Sequence, residues 1–420
     1  MSDASSDYSD KCVLLYSGGL DTSVMLKWLQ EEYDFKVITV TVNIGQSKDL
    51  EEVKKKAIAT GSVKHYNIDG REEFVNNYVL PALMANALYE DVYPISSALS
   101  RPLIAKYGVE IALKEDAKYI AHGCTGKGND QIRYASTIKA LAPDIKIIVP
   151  AIEWGLSREE EIEYARKHGI PIPVDVDSPY SIDENLWGRS IECGVLEYED
   201  VEPPEEVFKW TKPIEETPDR PEYVKIRFEE GIPISVNDCE YKPVEIIKYL
   251  NELGGLHGVG RIDHLEDRYT GFKSREVYEA PAAVILITAH KDLEKAVLTR
   301  HELDFKAYAD RVWTNLVYSG LWIEPLRMEL QAFITLLNKR VNGYVILKLY
   351  KGGLRVVGRK AYNGLYDYSL ATYGSSRFDQ KNAYGFIELW TLQSVEAYRK
   401  LPQEYIKVLN KARELIRIQP

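Results

Sequence analysis

The chain has 420 residues, 45% of them hydrophobic, more than one core usually takes up, so two domains and an appendage are expected. Its 53 basic and 64 acidic residues leave a net charge of −11, which argues against a surface built mainly to grip nucleic acid or anionic lipid. No run approaches the roughly 18 apolar residues of a membrane helix, MSDASSDYSD lacks the order of a secretory signal, and Cys12, Cys124, Cys193 and Cys239 are too scattered for a CxxC pair. A reduced, cytoplasmic protein with small-molecule substrates is expected.

From Lys11 to about Ile172, short β-rich runs alternate with helical ones. KCVLLY precedes a helix predicted over 21–33, FKVITVTV one over 49–60, and VKHYNI one over 71–88. After an irregular stretch come a helix over 103–117, KYIAHG, a helix over 132–141, IKIIVPA and a helix over 157–168. That order belongs to βαβ units, so the fold class is α/β, with a parallel-sheet nucleotide-binding domain over 1–172 carrying helices on both faces. Ligands of such sheets bind at the carboxyl ends of the strands, where the loops after KCVLLY, FKVITVTV and KYIAHG gather. GIPIPVDVDSPY, with its prolines, is read as the exit from this domain.

A mixed α+β domain is expected over 173–383. YVKIRFEEGIPISV and YVILKLYKGGLRVVGR each read as two strands around a glycine turn, and AAVILIT as a buried strand. The remaining segment, 384–420, is read as a helical tail, with Leu401, Tyr405, Val408, Leu409, Ala412, Leu415 and Ile416 on one helical face. Packing on its own domain and gripping a neighbouring subunit both fit that stripe.

The stretch YSGGLDTS, Tyr16 to Ser23, lies between a strand and a helix. A sharp turn through Gly18 and Gly19 exposes amides at a helix start, with the Ser17, Thr22 and Ser23 hydroxyls beside them, which suits a phosphate chain. Unlike GxxxxGK[ST], it has no lysine for the terminal phosphates and carries Asp21 near the helix start, so γ-phosphoryl transfer of that type is not expected. SGGLDTS is similar to the pyrophosphate-binding loop of the N-type ATP pyrophosphatases, which cut ATP between its α- and β-phosphates. With NIGQ, ALYEDVYPISSALSRP, GCTGKGNDQIR, SPYSIDENLWGRSIE and HGVGRIDHLEDRYTGFKSREVYE, the chain resembles the argininosuccinate synthase family from its first strand nearly to its end.

The resemblance implies a carbon–nitrogen ligase of arginine biosynthesis that joins citrulline to aspartate through citrullyl-AMP, releasing AMP and pyrophosphate, and that assembles as a homotetramer. It places ATP against Leu15, Tyr16, Ser17, Gly18, Gly19, Leu20, Asp21, Thr22 and Ser23, with Val42 offering backbone to the adenine and Gly123 closing the far side. It puts aspartate on Thr125, Asn129 and Asp130, and citrulline on Tyr93, Asn129, Arg133, Ser181, Ser190, Glu266 and Tyr278. Asp21 and Asp130 are the candidate catalytic residues. GKGND also suits an ordinary capping turn, and His122 a structural histidine. Where the family has a serine contacting citrulline, this chain has Ala98, so Ser97 or Ser96 is expected to supply the hydroxyl instead, and Ser97 is taken as the candidate. Mg²⁺ is expected with the nucleotide, Asp21 being either its neighbour or a helix cap.

Overall fold

The computed structural model describes residues 10–126, 128–155, 157–171, 179–374 and 377–416. The chain parts into two compact units, Met1–Leu365 and Tyr366–Pro420. Residues 1–9, Lys127 and most of the expected interdomain exit, including the 172/173 boundary, lie outside the described residues.

The first unit opens with β1 (Lys11–Leu15), α1 (Leu20–Tyr33), β2 (Lys36–Asn43), α2 (Leu50–Ala59) and β3 (Lys64–Asp69). Next come α3 (Arg71–Phe74), a π-helical turn over Val75–Val79, α4 (Leu80–Met84) and α5 (Ser96–Lys114). They are followed by β4 (Tyr119–Ala121), α6 (Asp130–Leu141), β5 (Lys146–Ile148), α7 (Pro150–Glu153) and α8 (Arg158–Lys167). The five strands form a parallel sheet in the order β3-β2-β1-β4-β5. Its central strands β1, β2 and β4 are buried runs because both faces are covered, with Val13, Leu14, Val37, Ile38 and Ile120 almost fully buried, while the edge strand β3, KHYNID, is polar and only half-buried. The chain reverses direction across the sheet at β1, with β2 on one side and β4 on the other, so the crevice for a ligand opens between the ends of β1 and β4.

Two predicted helices shift. The stretch expected as one helix over 71–88 widens into a π turn before Pro81, which lacks the N–H for a normal bond, and ends at Met84. The helix expected from Leu103 starts at Ser96 and carries Pro102 in its interior.

Beyond the exit stand β6 (Ser181–Asn185), β7 (Gly188–Glu192), β8 (Glu222–Glu229), β9 (Ile232–Val236), β10 (Cys239–Glu240), α9 (Pro243–Leu256), β11 (Arg261–Asp267) and β12 (Lys273–Glu279). Then follow α10 (Pro281–Val297), α11 (Arg300–Tyr318), α12 (Pro325–Asn338), β13 (Gly343–Tyr350) and β14 (Gly353–Ala361). They make two antiparallel sheets, β11-β12-β7-β6 and β10-β9-β8-β13-β14, and both predicted hairpins lie in the second.

AAVILIT is not a strand. It lies in the 17-residue α10, which starts at Pro281 and is buried along most of its length. A helix covered on nearly every side loses its polar face, so its apolar run reads like that of a buried strand, and the proline at its first turn is the signal that separates the two.

The second unit holds α13 (Tyr368–Ala371), α14 (Asn382–Arg399) and α15 (Gln403–Ile416). None of the residues of α14 is buried, and Leu389 and Trp390 are 79% and 64% exposed. The predicted stripe lies on α15 except for Leu401, which precedes the helix; Tyr405 and Val408 are exposed, and the side chains of Leu409, Ala412, Leu415 and Ile416 lie outside the described residues.

Candidate active site

The loop after β1 takes its shape from Gly18, whose φ of +75° disfavours any side chain and whose added Cβ would meet Val53 at 2.9 Å. Gly19 then caps α1, and the Gly19 amide donates to Ser17 Oγ at 3.3 Å. Thr22 Oγ1 lies 3.2 Å from Ser17 Oγ, and Ser23 Oγ donates to the Gly19 carbonyl and lies 2.8 Å from the Tyr16 hydroxyl. Leu15, Tyr16 and Leu20 are buried beneath the loop, while Ser17 and Asp21 face outward. The helix end thus presents amides, hydroxyls and its positive dipole.

Lysines absent from the loop itself come from elsewhere. Lys48 Nζ donates to the Ser17 carbonyl and Lys56 Nζ to the Gly18 carbonyl, each at 3.1 Å. No local motif announces them, since Lys48 reaches the loop from the turn before α2 and Lys56 from α2 itself. Gly123, in the loop after β4, sits where a Cβ would lie 3.1 Å from Met25 and 3.3 Å from Thr22 of α1, so the GCTG loop packs on the first turns of the helix that the SGG loop opens. Val42 is buried near the end of β2, and its carbonyl accepts from the Gln46 side chain at 2.9 Å.

Thr125 is exposed in the turn before α6, while Asn129 caps that helix and is buried. Asp130 lies between two guanidinium groups. Arg101 Nη2 is 2.7 Å from its Oδ2 and Arg133 Nη1 2.7 Å from its Oδ1. Burial alone would raise the Asp130 carboxyl, but the charges of Arg101 and Arg133 outweigh it and hold the group well below the ordinary carboxylate range. Arg101 also reaches Asp183 at 2.8 Å, and Asp183 accepts from Ser97 Oγ at 2.6 Å. Ser97 is therefore at the site, whereas Ala98 is fully buried in the core.

Arg133 donates from Nε and Nη2 to the Tyr318 carbonyl at 3.0 and 2.8 Å and from Nη1 to Asp130. Of its five N–H donors, one on each terminal nitrogen has no partner among the described residues and is left to grip a carboxylate. The Tyr318 hydroxyl accepts from Asn129 Nδ2 at 3.0 Å and donates to Glu266 Oε1 at 2.5 Å, and the Tyr278 hydroxyl donates to Glu266 Oε2 at 2.7 Å. Tyr93 stacks on Tyr278 with ring centroids 4.0 Å apart, and its hydroxyl accepts from the Ser97 amide at 3.0 Å; burial pushes that phenol up to about 12. Asn129 Oδ1 is buried without a hydrogen-bond partner among the described residues, an acceptor suited to a substrate N–H.

The sheet β11-β12-β7-β6 assembles the remainder. Ser190 on β7 stands opposite Asp183 on β6 and Tyr278 on β12, and Ser181 stands opposite Glu192. Because side chains alternate along a strand, Ser181, Asp183, Ser190, Glu192, Glu276 and Tyr278 share one face. Glu266, opposite Ser274 in register with Lys273–Glu279, belongs to the same face.

The structure therefore joins Asn129, Asp130, Arg133, Tyr93, Ser97, Glu266 and Tyr278 in one network of contacts, with Ser181 and Ser190 on the adjoining sheet face. The SGG loop, with Asp21 at the start of α1, abuts that region through the Gly123 loop. Asp183, Tyr318, Glu192, Arg268 and Glu276 were not singled out from the sequence. The alternation in SIDEN and GRSIE could have marked Asp183 and Glu192, but nothing local signals Tyr318. His122 is buried, stacked on Tyr134, and accepts from the Cys124 amide, and burial pushes it down to about 4, which fits a structural role.

Residues 11–171 match the family described as Arginosuccinate synthase N-terminal HUP domain, and residues 180–397 the Arginosuccinate synthase C-terminal domain. Argininosuccinate synthase of Pyrococcus furiosus is 59% identical over 392 residues, 93% of this chain and 95% of that protein. The same enzyme of Dehalococcoides mccartyi is 53% identical over 92% of this chain and 95% of its own length, and that of Bacillus subtilis 53% over 91% and 95%.

Proposed function

The chain belongs to the argininosuccinate synthase family, and from that premise we propose how its residues share the work of joining citrulline to aspartate at the expense of ATP. The enzyme is a ligase of arginine biosynthesis that forms citrullyl-AMP and then argininosuccinate, releasing pyrophosphate and AMP.

The ureido oxygen is a feeble nucleophile, so alignment with the α-phosphorus has to supply much of the rate, a gain that reaches about 7–11 kcal/mol when both reactants are well held. The SGG loop holds the β- and γ-phosphates on its amides and hydroxyls, with Lys48 and Lys56 close enough to add positive charge. Val42 offers backbone to the adenine, and Gly123 closes the far side of the nucleotide. Arg133 grips the citrulline carboxylate through its remaining N–H pair, and Glu266, oriented by two tyrosine hydroxyls, takes its ammonium. Tyr93, Ser97, Asn129, Ser181, Ser190 and Tyr278 orient the ureido end. Thr125, Asn129 and Asp130 receive aspartate, with Asp130 kept anionic to meet an ammonium. The observation that carries this reading is the packing of the Gly123 loop on α1, which brings the phosphate loop beside the acid and guanidinium network.

Mg²⁺ commonly binds through one or two carboxylates and the nucleotide's phosphates. Among the described residues no group of three His, Cys, Asp or Glu side chains is placed to hold a metal, while Asp21 stands exposed in the first turn of α1. That fits an ion carried in on ATP and met by Asp21, and such an ion supplies neutralisation of phosphate charge. We also place the enzyme in the cytoplasm as a homotetramer. The uncovered apolar residues of α14 support the second part, because an exposed surface of that kind marks an interaction site.

Product analysis tests the reading. ATP, citrulline and aspartate together should yield AMP and argininosuccinate, and formation of ADP would overturn it.

A further inference from the structure

We propose that Glu192 is the general base that frees the α-amine of aspartate in the second half of the reaction. The proposal rests on the ligase reading above, which needs an acceptor for that proton, because an aliphatic ammonium has no lone pair with which to attack.

The other acids and bases near the network are poorly suited. Asp130 is held ionised by Arg101 and Arg133 and is too weak a base. Glu266 is already engaged on both oxygens by tyrosine hydroxyls. The His122 imidazole is buried behind Tyr134.

Glu192 differs in place and in company. It ends β7 two residues beyond Ser190, on the face that carries Tyr278 and Asp183. Arg268 Nη2 lies 2.5 Å from its Oε2 and also bonds Glu276, whose Oε1 accepts from Ser274 Oγ at 2.8 Å. Two carboxylates thus share one cation. The Glu276 side chain is 6% exposed and that of Glu192 38%, so Glu192 is the member open to a ligand. Among the described residues Arg268 engages only its Oε2, which leaves Oε1 to accept a proton.

Although more than a third of its side chain is open to solvent, loss of hydration among its packed neighbours first, then the Glu276 charge, raise the Glu192 carboxyl to about 7; Arg268 opposes the shift and Asp130 adds to it. The Cys193 thiol next to it is pushed up to about 11, and His264 on β11, opposite Glu276 of β12, has its Nε2 3.0 Å from a Glu90 carboxylate oxygen. A base whose pKa lies near the working pH combines a useful ionised fraction with adequate strength.

The step balances. A proton passes from the aspartate ammonium to Glu192, and the freed nitrogen lone pair forms a bond to the isourea carbon of citrullyl-AMP. The second proton of the new ammonium moves to the imino nitrogen. The carbon–oxygen bond then breaks, its electron pair leaving on the phosphate oxygen of AMP.

The test uses the full-length enzyme and two assays. Exchange of labelled pyrophosphate into ATP with citrulline alone reads the first half, and argininosuccinate formation reads both. Glu192→Gln should retain most of the exchange while argininosuccinate formation falls about 100-fold or more. In the wild type, kcat/KM for aspartate should fall as pH drops below about 7, and that limb should be missing in E192Q. Glu192→Asp should keep the limb at a reduced rate. Wild-type product formation by E192Q, or loss of exchange in equal measure, overturns the proposal. Should E192Q not fold, E192D decides: full rate with an unmoved limb overturns it. A wild-type enzyme without exchange would count against the ligase reading instead.

Discussion

Asp130→Asn removes one negative charge from between two guanidinium groups while keeping nearly the same shape. The side chains of Arg101 and Arg133 are only 12% and 6% exposed, so both lose an anion in a poorly solvated place. Breaking a buried ion pair from one side costs about 3–5 kcal/mol. The lower end applies here, because Arg101 keeps Asp183, Arg133 keeps the Tyr318 carbonyl, and a quarter of the Asp130 side chain faces solvent. A loss of about 3 kcal/mol is therefore expected at pH 7 in denaturant unfolding followed by tryptophan fluorescence. The pH dependence has a definite sign. A carboxyl depressed in the folded state stabilises it above the ordinary value of 3.8, and that contribution is lost as pH falls through the folded value. The difference between wild type and D130N should thus stay level from about pH 5 to 8 and narrow only in acid. A loss below about 1 kcal/mol, as for an exposed pair, would refute the picture of a buried anion clamped by two cations.

Other changes separate the parts of the site. Gly18→Ala forces a left-handed φ on an L-residue and pushes a methyl onto Val53, so KM for ATP should rise severalfold with citrulline dependence little changed; an unaltered ATP dependence would remove the loop from the phosphates. Tyr318→Phe leaves Asn129 Nδ2 without its acceptor and Glu266 without one donor, at about 1–3 kcal/mol, and should raise KM for citrulline in steady-state assays while sparing ATP. Lys48→Met should weaken ATP binding by calorimetry, more at low than at high salt. Trp390→Glu in the full-length chain should shift sedimentation toward smaller species; an unchanged assembly would argue that α14 is not a subunit contact.

Much of this was legible in the sequence because its signals are local. The alternation of apolar strands and helices gave the parallel sheet, and SGGLDTS marked the strand-to-helix turn at its switch point. Motif resemblance brought forward Tyr93, Arg133, Glu266 and Tyr278, each of which would pass alone for packing or surface. What stayed hidden depends on pairings distant in sequence. Arg101 clamps Asp130 and Asp183 only once α5, α6 and β6 meet, and Lys48 and Lys56 reach the loop from the turn before α2 and from α2. Tyr318 contributes a carbonyl as well as a hydroxyl, and main-chain acceptors carry no residue code. AAVILIT misled for a related reason, since burial on nearly all sides erases the period that distinguishes helix from strand.

The most direct measurement follows the oxygen atom. With citrulline labelled by ¹⁸O in its ureido group, attack of that oxygen on the α-phosphorus should deliver the label into AMP, with none in pyrophosphate. Label found in pyrophosphate would mean that the oxygen had attacked the β-phosphorus instead, and label in neither product that some other atom had attacked ATP; either result contradicts the account.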